Sequence, residues 1–373
     1  MTRIVDNTSE LEELCKYLKS CRQVGVDIEG DGMYHFREKV CLLQLSDGKN
    51  NFIVDPLQAF DLHKLAPFFF DPGVEKIFHG ADYDIKSLYR DYGIVVNNLF
   101  DTEIASRFAG LKYSGLDNLL MSFLGVKTEK KYQKKDWSVR PLSDDMLDYA
   151  AKDSQYLIEI SNILKKKLKD LKRFEWVMEE SANISEARFA RKVDRPYFTS
   201  FKGAGKLDSR SLAVLELLLK FRYGLARKKD KPLYKILPNS VIIKVAEKKP
   251  EEIRELKKIM SPGHYKRFSS QIFDIVKKAQ NIDEKDLPRY PKKVRKKRLD
   301  SKTAARIQKL KEWRMDKSVK LGLDPGLVLN NNGLSEIAEK NPKDADQLLD
   351  MSVKRWQKNE FGEKIVEVIK NSN

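Results

Sequence analysis

The sequence predicts an α/β domain with a mixed sheet over its first two hundred residues, followed by two all-α helical bundles in tandem. Three observations carry this. Short strand-like runs alternate with helical spacing up to residue 200, and from residue 208 onward the apolar spacing is helical throughout. The second half also repeats itself at an offset of 92 residues: Phe221-Arg222 with Trp313-Arg314, Ala246-Glu247 with Ala338-Glu339, Pro250 with Pro342, Leu256 with Leu348. The expected divisions are 1–200, 208–287 and 299–373.

Charge sharpens the division. The chain carries +17 overall, but residues 1–200 hold 30 Lys+Arg against 32 Asp+Glu, whereas residues 201–373 hold 42 against 23. A basic half of that size points to a polyanion, with nucleic acid ahead of an anionic membrane. The alternative is a face of solvated helix lysines. No apolar run approaches the roughly 20 residues of a membrane helix, and Met1–Leu14 has no secretory pattern. Three cysteines, Cys15, Cys21 and Cys41, are odd in number and lack metal-ligand spacing. The expectation is a cytoplasmic, monomeric chain with reduced thiols and no membrane partner.

In chain order, Ser9–Ser20 has helical spacing. Val24–Glu29, Val40–Leu45 and Asn51–Val54 read as three consecutive antiparallel strands, the last two joined by the turn-forming Ser46-Asp47-Gly48-Lys49. Asp61–Phe70 and Asp84–Tyr92 read as helices around a short strand, Lys76–His79, and Leu99–Thr102 opens another strand-to-helix junction. From Leu142 to Arg191 the pattern is helical almost throughout, with Ser143 as N-cap ahead of Asp144 and Asp145. A Gly-containing stretch between Arg195 and Asp208 marks a boundary. The Pro-bearing, strongly basic link Leu287–Arg298 is either a phosphate-binding tether or a solvated linker.

The chemistry starts at Val24-Gly25-Val26-Asp27-Ile28-Glu29-Gly30. Its period of two puts Asp27 and Glu29 side by side on one strand face. Paired carboxylates persist most easily around a divalent cation, and solvation on an edge strand is the other reading. Asp82 and Asp84, just after a buried strand, are either ligands or helix N-terminal acids. Tyr149 and Asp153 lie four apart on a helix beside Ala150 and Ala151, which would let a ligand approach closely. Lys127–Arg140 is a basic segment interleaved with Tyr132 and Trp137. Its Lys130, Lys131, Tyr132, Lys134 and Arg140, with Lys292, Lys293 and Arg295 of the link, are candidate nucleic-acid contacts. Trp137 reads either as a base-stacking platform or as a core residue. There is no GxxxxGK[ST] loop for a motor NTPase, and no His/Cys cluster to suggest zinc.

DIE on a strand, HGADYDIKSLYRDYG, DTEIASRF and DWSVRPLSDDMLDYAAKDSQYL occur in that order. Together they closely resemble the ribonuclease D family of the DEDDy-type 3′→5′ exonuclease superfamily, and the C-terminal repeats look like two HRDC domains. The resemblance implies an RNase H-like exonuclease fold, and the four acids Asp27, Glu29, Asp84 and Asp153 as ligands of two divalent cations, Mg²⁺ or Mn²⁺. It makes Tyr149 the residue that positions the attacking water. It selects Asp84 over Asp82, because Asp84 is followed directly by an apolar residue, and it leaves Asp101 as a cap. It further implies trimming of RNA with a free 3′ end, tRNA precursors among them, to 5′-mononucleotides. A DNA exonuclease of the same superfamily and a non-catalytic RNA-binding scaffold are the competing readings.

Overall fold

A computed structural model describes residues 2–58, 61–128, 131–189, 195–291 and 299–370. It divides into two compact units: Met1–Gly30 with Val40–Phe189 and Lys296–Asn373, and Asp31–Lys39 with Ala190–Arg295.

The first unit is built on a mixed sheet of strands β1 (Thr2–Val5), β2 (Gln23–Gly30), β3 (Val40–Ser46), β4 (Asn51–Val54), β5 (Glu75–Phe78) and β6 (Leu99–Asp101), in the order β1-β4-β3-β2-β5-β6. The β2–β3 and β3–β4 pairs are antiparallel, as the strand–turn–strand pattern predicts, while β2–β5, β5–β6 and β1–β4 are parallel. Strand β1, four residues long and largely exposed, was outside the sequence expectation. Helices α1 (Thr8–Leu18), α2 (Ala66–Phe70), α3 (Asp82–Tyr92), α4 (Thr102–Phe108), α5 (Leu116–Leu124), α6 (Asp144–Gln155), α7 (Leu157–Asp170) and α8 (Phe174–Ser185) cover it. The stretch expected to be almost continuously helical is thus three helices. The chain turns at Tyr156 and again at Lys172, whose φ of +58° no helix continues.

In the second unit, α9 (Ser209–Lys229), α10 (Leu233–Ile236), α11 (Asn239–Lys248) and α12 (Pro262–Gln280) enclose a core of Leu212, Leu215, Leu219, Ile242, Val245 and Ile272. Residues 31–39, the connection between β2 and β3, belong here. Phe36 packs on that core, His35 meets Asp230 at 2.7 Å, and the Tyr234 hydroxyl donates to the Met33 carbonyl at 2.9 Å.

The second repeat, α13 (Ser301–Leu321), α14 (Pro325–Val328), α15 (Asn331–Lys340) and α16 (Arg355–Lys370), belongs to the first unit. Its core is continuous with that of α4, α5, α7 and α8. Trp356 stacks on Trp176 at 4.6 Å, and Phe108 meets Trp356 edge-on at 5.4 Å. Glu180 accepts from the Trp356 indole at 2.9 Å, Glu179 caps the start of α16 through the N–H groups of Arg355 and Trp356, and Arg173 donates to the Leu321 carbonyl at 2.7 Å. The 92-residue register recurs in the hydrogen bonds. Arg222 donates to the Leu237 carbonyl and Asn239 Oδ1, and Arg314 to the Leu329 carbonyl and Asn331 Oδ1.

Candidate metal centre

Strand β2 alternates as the sequence predicts. Val24, Val26 and Ile28 enter one apolar core, so Gly25, Asp27 and Glu29 face the other side of the sheet, where α6 lies. The approach of α6 is close. A β-carbon on Gly25 would stand 2.5 Å from the Ser154 carbonyl oxygen, so only glycine leaves the last turn of α6 room against the strand. Ala150 and Ala151, both buried, keep the middle of α6 equally near. Ser143 caps that helix by accepting from the Met146 N–H.

This packing brings α6's Asp153 to β2's acids. Carboxylate oxygens of Asp27, Glu29 and Asp153 lie within 4.8 Å of one another, although the residues are up to 126 positions apart in sequence. Asp84, in the first turn of α3, is 7% exposed, and its charge acts on Glu29 and is acted on by that of Asp27. It is outside the 4.8 Å group of three. Asp82 points away, exposed and paired with Lys86 at 2.5 Å, which separates the two aspartates the sequence left to resemblance.

All four carboxyls are pushed upward. Burial leads in each case, and Coulomb repulsion adds to it: from Asp153 at Asp27, from Asp27, Asp153 and Asp84 at Glu29, and from Asp27 at Asp84. Only at Asp27 does a backbone N–H, that of Ile28, pull the other way. Tyr149, one turn before Asp153, is also raised, by burial and then by Asp153, Glu29 and Asp27, so its phenol keeps its proton. Its ring is fixed by Tyr132 at 5.6 Å and Trp137 at 6.2 Å.

A cavity of about 290 Å³ opens on the Tyr149 and Asp153 side of this group. Tyr149 and Asp153 line it together with Lys127, Lys131, Tyr132 and Lys152, and with two further acids, Asp145 and Asp148. Lys131 sits 4.9 Å above the Tyr132 ring. Lys127 and Lys152 were not singled out from the sequence. Lys127 opens the basic segment and Lys152 precedes Asp153, so the signal was local charge beside a motif.

Of the other candidate contacts, Lys134 is exposed, and Lys130, Lys292, Lys293 and Arg295 lie outside the described residues. Arg140 requires a correction. All five of its N–H donors are engaged within the protein, two on Asp55 at 2.6 Å and the rest on the carbonyls of Trp137, Val139 and Cys41, so no donor is left for a phosphate. Trp137, 1% exposed, is core and not a stacking platform. Asp101 is a cap: it accepts from the N–H groups of Gly80, Ala81, Glu103 and Ile104.

The donor set suits a hard divalent cation. It consists of carboxylate oxygens that repel one another when bare, with no sulfur and no imidazole in the group of three.

Comparison with known proteins matches residues 2–169 to the 3′-5′ exonuclease family, and residues 211–276 and 303–369 each to the HRDC domain. Rat exosome complex component 10 is 35% identical over 258 residues, which are 67% of this chain, and the chain spans only 29% of that relative. Ribonuclease D of Bartonella henselae is 29% identical over 343 residues, covering 91% of this chain and 84% of the relative. Among solved structures, the catalytic core of RRP6 from Trypanosoma brucei superposes with a TM-score of 0.67 at 31% identity, over 75% of this chain and 80% of its own. Escherichia coli RNase D shares the fold over 100% of this chain and 99% of its own, with a TM-score of 0.73 at 20% identity.

Proposed function

This chain belongs to the 3′-5′ exonuclease family, in the group that carries HRDC domains, and we propose from that premise that it is a metal-dependent exoribonuclease. It shortens RNA from a free 3′ end by hydrolysis, releasing 5′-mononucleotides. The observation that carries the reading is the convergence of Asp27, Glu29 and Asp153, with the buried Asp84 repelling Glu29.

Asp27, which Asp153 repels and which in turn repels Asp84, would be shared between two cations, with Glu29 and Asp153 helping to hold one and Asp84 the other. Bound Mg²⁺ or Mn²⁺ supplies charge for the attacking and leaving oxygens and acidifies a water. The protein's own groups do the rest. Tyr149 is a poor base because its proton is held tightly, so it acts as a donor that aims the attacking water. Lys127, Lys131 and Lys152 meet backbone phosphates, and Tyr132 offers a face to the terminal base. A cavity of about 290 Å³ is at the small end of ligand pockets and suits one terminal nucleotide better than a duplex.

The basic half then holds the body of the RNA through its phosphates. The motif resemblance in the sequence favours structured RNA, tRNA precursors included, and a cytoplasmic monomer. No described helix is long and apolar enough to cross a membrane.

The test is a 5′-labelled single-stranded oligoribonucleotide, with its DNA counterpart alongside, incubated with the full chain and Mn²⁺ or Mg²⁺. A ladder shortening from the 3′ end, faster on RNA, is expected. Absence of a ladder at every metal concentration would leave a binding scaffold, and faster degradation of DNA would move the substrate class.

A further inference from the structure

Gln44 lies in the middle of β3, fully buried at 0% exposure, and neither its Oε1 nor its Nε2 has a hydrogen-bond partner. Among the described residues no other side chain leaves two buried polar atoms unmet. A buried amide without partners costs about 1–3 kcal/mol, so a position that tolerates one calls for an explanation beyond packing.

The register supplies it. Gln44 is directly opposite Asp27 in the antiparallel β2–β3 pair, so the two side chains project from the same face with β-carbons about 5 Å apart. On its other side Gln44 pairs with Ile53, which packs against Trp137, Ala150 and Ala151 of the α6 layer. The amide is therefore enclosed under α6, beside the acid that faces both Asp153 and Asp84.

We propose that Gln44 is a positioning residue for Asp27, its amide donating to the Asp27 carboxylate, directly or through one enclosed water, when the cluster holds its cations. A carboxylate that binds a metal through one oxygen commonly has its other lone pairs fixed by an outer partner, and losing such a partner typically weakens metal binding 10- to 100-fold. The inference rests on the reading that Asp27 is a cation ligand.

The experiment titrates Mn²⁺ alone into the full chain by calorimetry, for wild type, Gln44→Met and Gln44→Asn, with Tm in chelator measured in parallel. The expected result is Mn²⁺ affinity lowered about tenfold or more in Gln44→Met, and by less in Gln44→Asn, which keeps an amide one methylene short. Tm in chelator should be unchanged or higher in Gln44→Met, because an unmet amide has been removed. Affinity within about twofold of wild type in a folded variant overturns the proposal. So does a failure of both variants to fold, which would make Gln44 purely structural. Wild-type protein that takes up no Mn²⁺ overturns the proposed function itself, a separate and distinguishable outcome.

Discussion

Asp101 and the group around Asp27 are both buried acids of one exonuclease sheet, and they are treated in opposite ways. Asp101, at the end of β6, has no exposure, yet four backbone N–H groups converge on it, working against the lift that burial gives its carboxyl. Asp84 is buried and Asp27, Glu29 and Asp153 are partly buried, and burial raises all four, with repulsion acting in the same direction at Asp27, Glu29 and Asp84. An acid whose charge is met by fixed donors fastens the fold, here by joining the Gly80–Ala81 turn to the start of α4. A set of acids with a single such donor among them, the Ile28 N–H at Asp27, is strained alone and relieved by something added. The same polypeptide thus separates its structural from its working carboxylates by where the backbone N–H groups point.

Replacing Asp153 with Asn should give the largest effect. Exonuclease turnover should fall about 10³-fold, near 4 kcal/mol of transition-state stabilisation. Tm in chelator should rise, since the carboxylate that repels Asp27 and Glu29 is gone. A melting curve that falls instead would place Asp153 with the structural acids.

Asp101→Ala tests the opposite member. Four N–H groups lose their acceptor, and a cost of about 2–3 kcal/mol in urea unfolding is expected, with Mn²⁺ affinity held. Equal losses of stability and metal binding would erase the distinction.

Tyr149→Phe keeps the ring against Trp137 and Tyr132 and removes only the donor. It should lower kcat about 10- to 100-fold while KM for RNA stays near wild type. An unaltered kcat would take Tyr149 out of the reaction.

The gentlest perturbation is pH. With chelator, the cluster's folded-state values, about 8 for Asp27 and about 7 for Asp153, lie above those of an unfolded chain. The folded state therefore holds protons that the unfolded state has released. The stability these two carboxyls contribute is fully present below the unfolded carboxyl range and is lost as pH rises through 7 and 8. Tm measured at pH 5 and at pH 8 should differ by roughly 5 °C, the lower value at pH 8, and saturating Mn²⁺ should flatten the difference.

Much of this was legible in the sequence where the signal is local. The alternation of Val24, Val26 and Ile28 placed Asp27 and Glu29 on one face, the Ser143 cap set the start of α6, and i, i+4 spacing joined Tyr149 to Asp153. Partnerships over long separations were not legible. Arg140 reads as one more cation in a basic run because Asp55 is 85 positions away. The 92-residue repeat announced two similar bundles but could not say that the second buries its Trp356 against Trp176, since periodicity reveals that a face is apolar and not what covers it. Strand β1 was missed for a related reason: four residues, mostly exposed, take their conformation from pairing with β4.

The two bundles also differ in charge. Residues 208–287 hold 19 Lys+Arg against 11 Asp+Glu, whereas 299–373 hold 14 against 12, so the larger positive excess lies in the copy that keeps its own core.

The stacked indoles of Trp176 and Trp356 also divide the molecule optically. All four tryptophans of the chain, Trp137, Trp176, Trp313 and Trp356, fall in the unit that holds the acids, and none in the other. Intrinsic emission excited at the indole band therefore reports on one half alone, while far-ultraviolet dichroism sees helices in both. Following denaturation with the two signals side by side separates the melting of each half without a label, a tag or an engineered fluorophore.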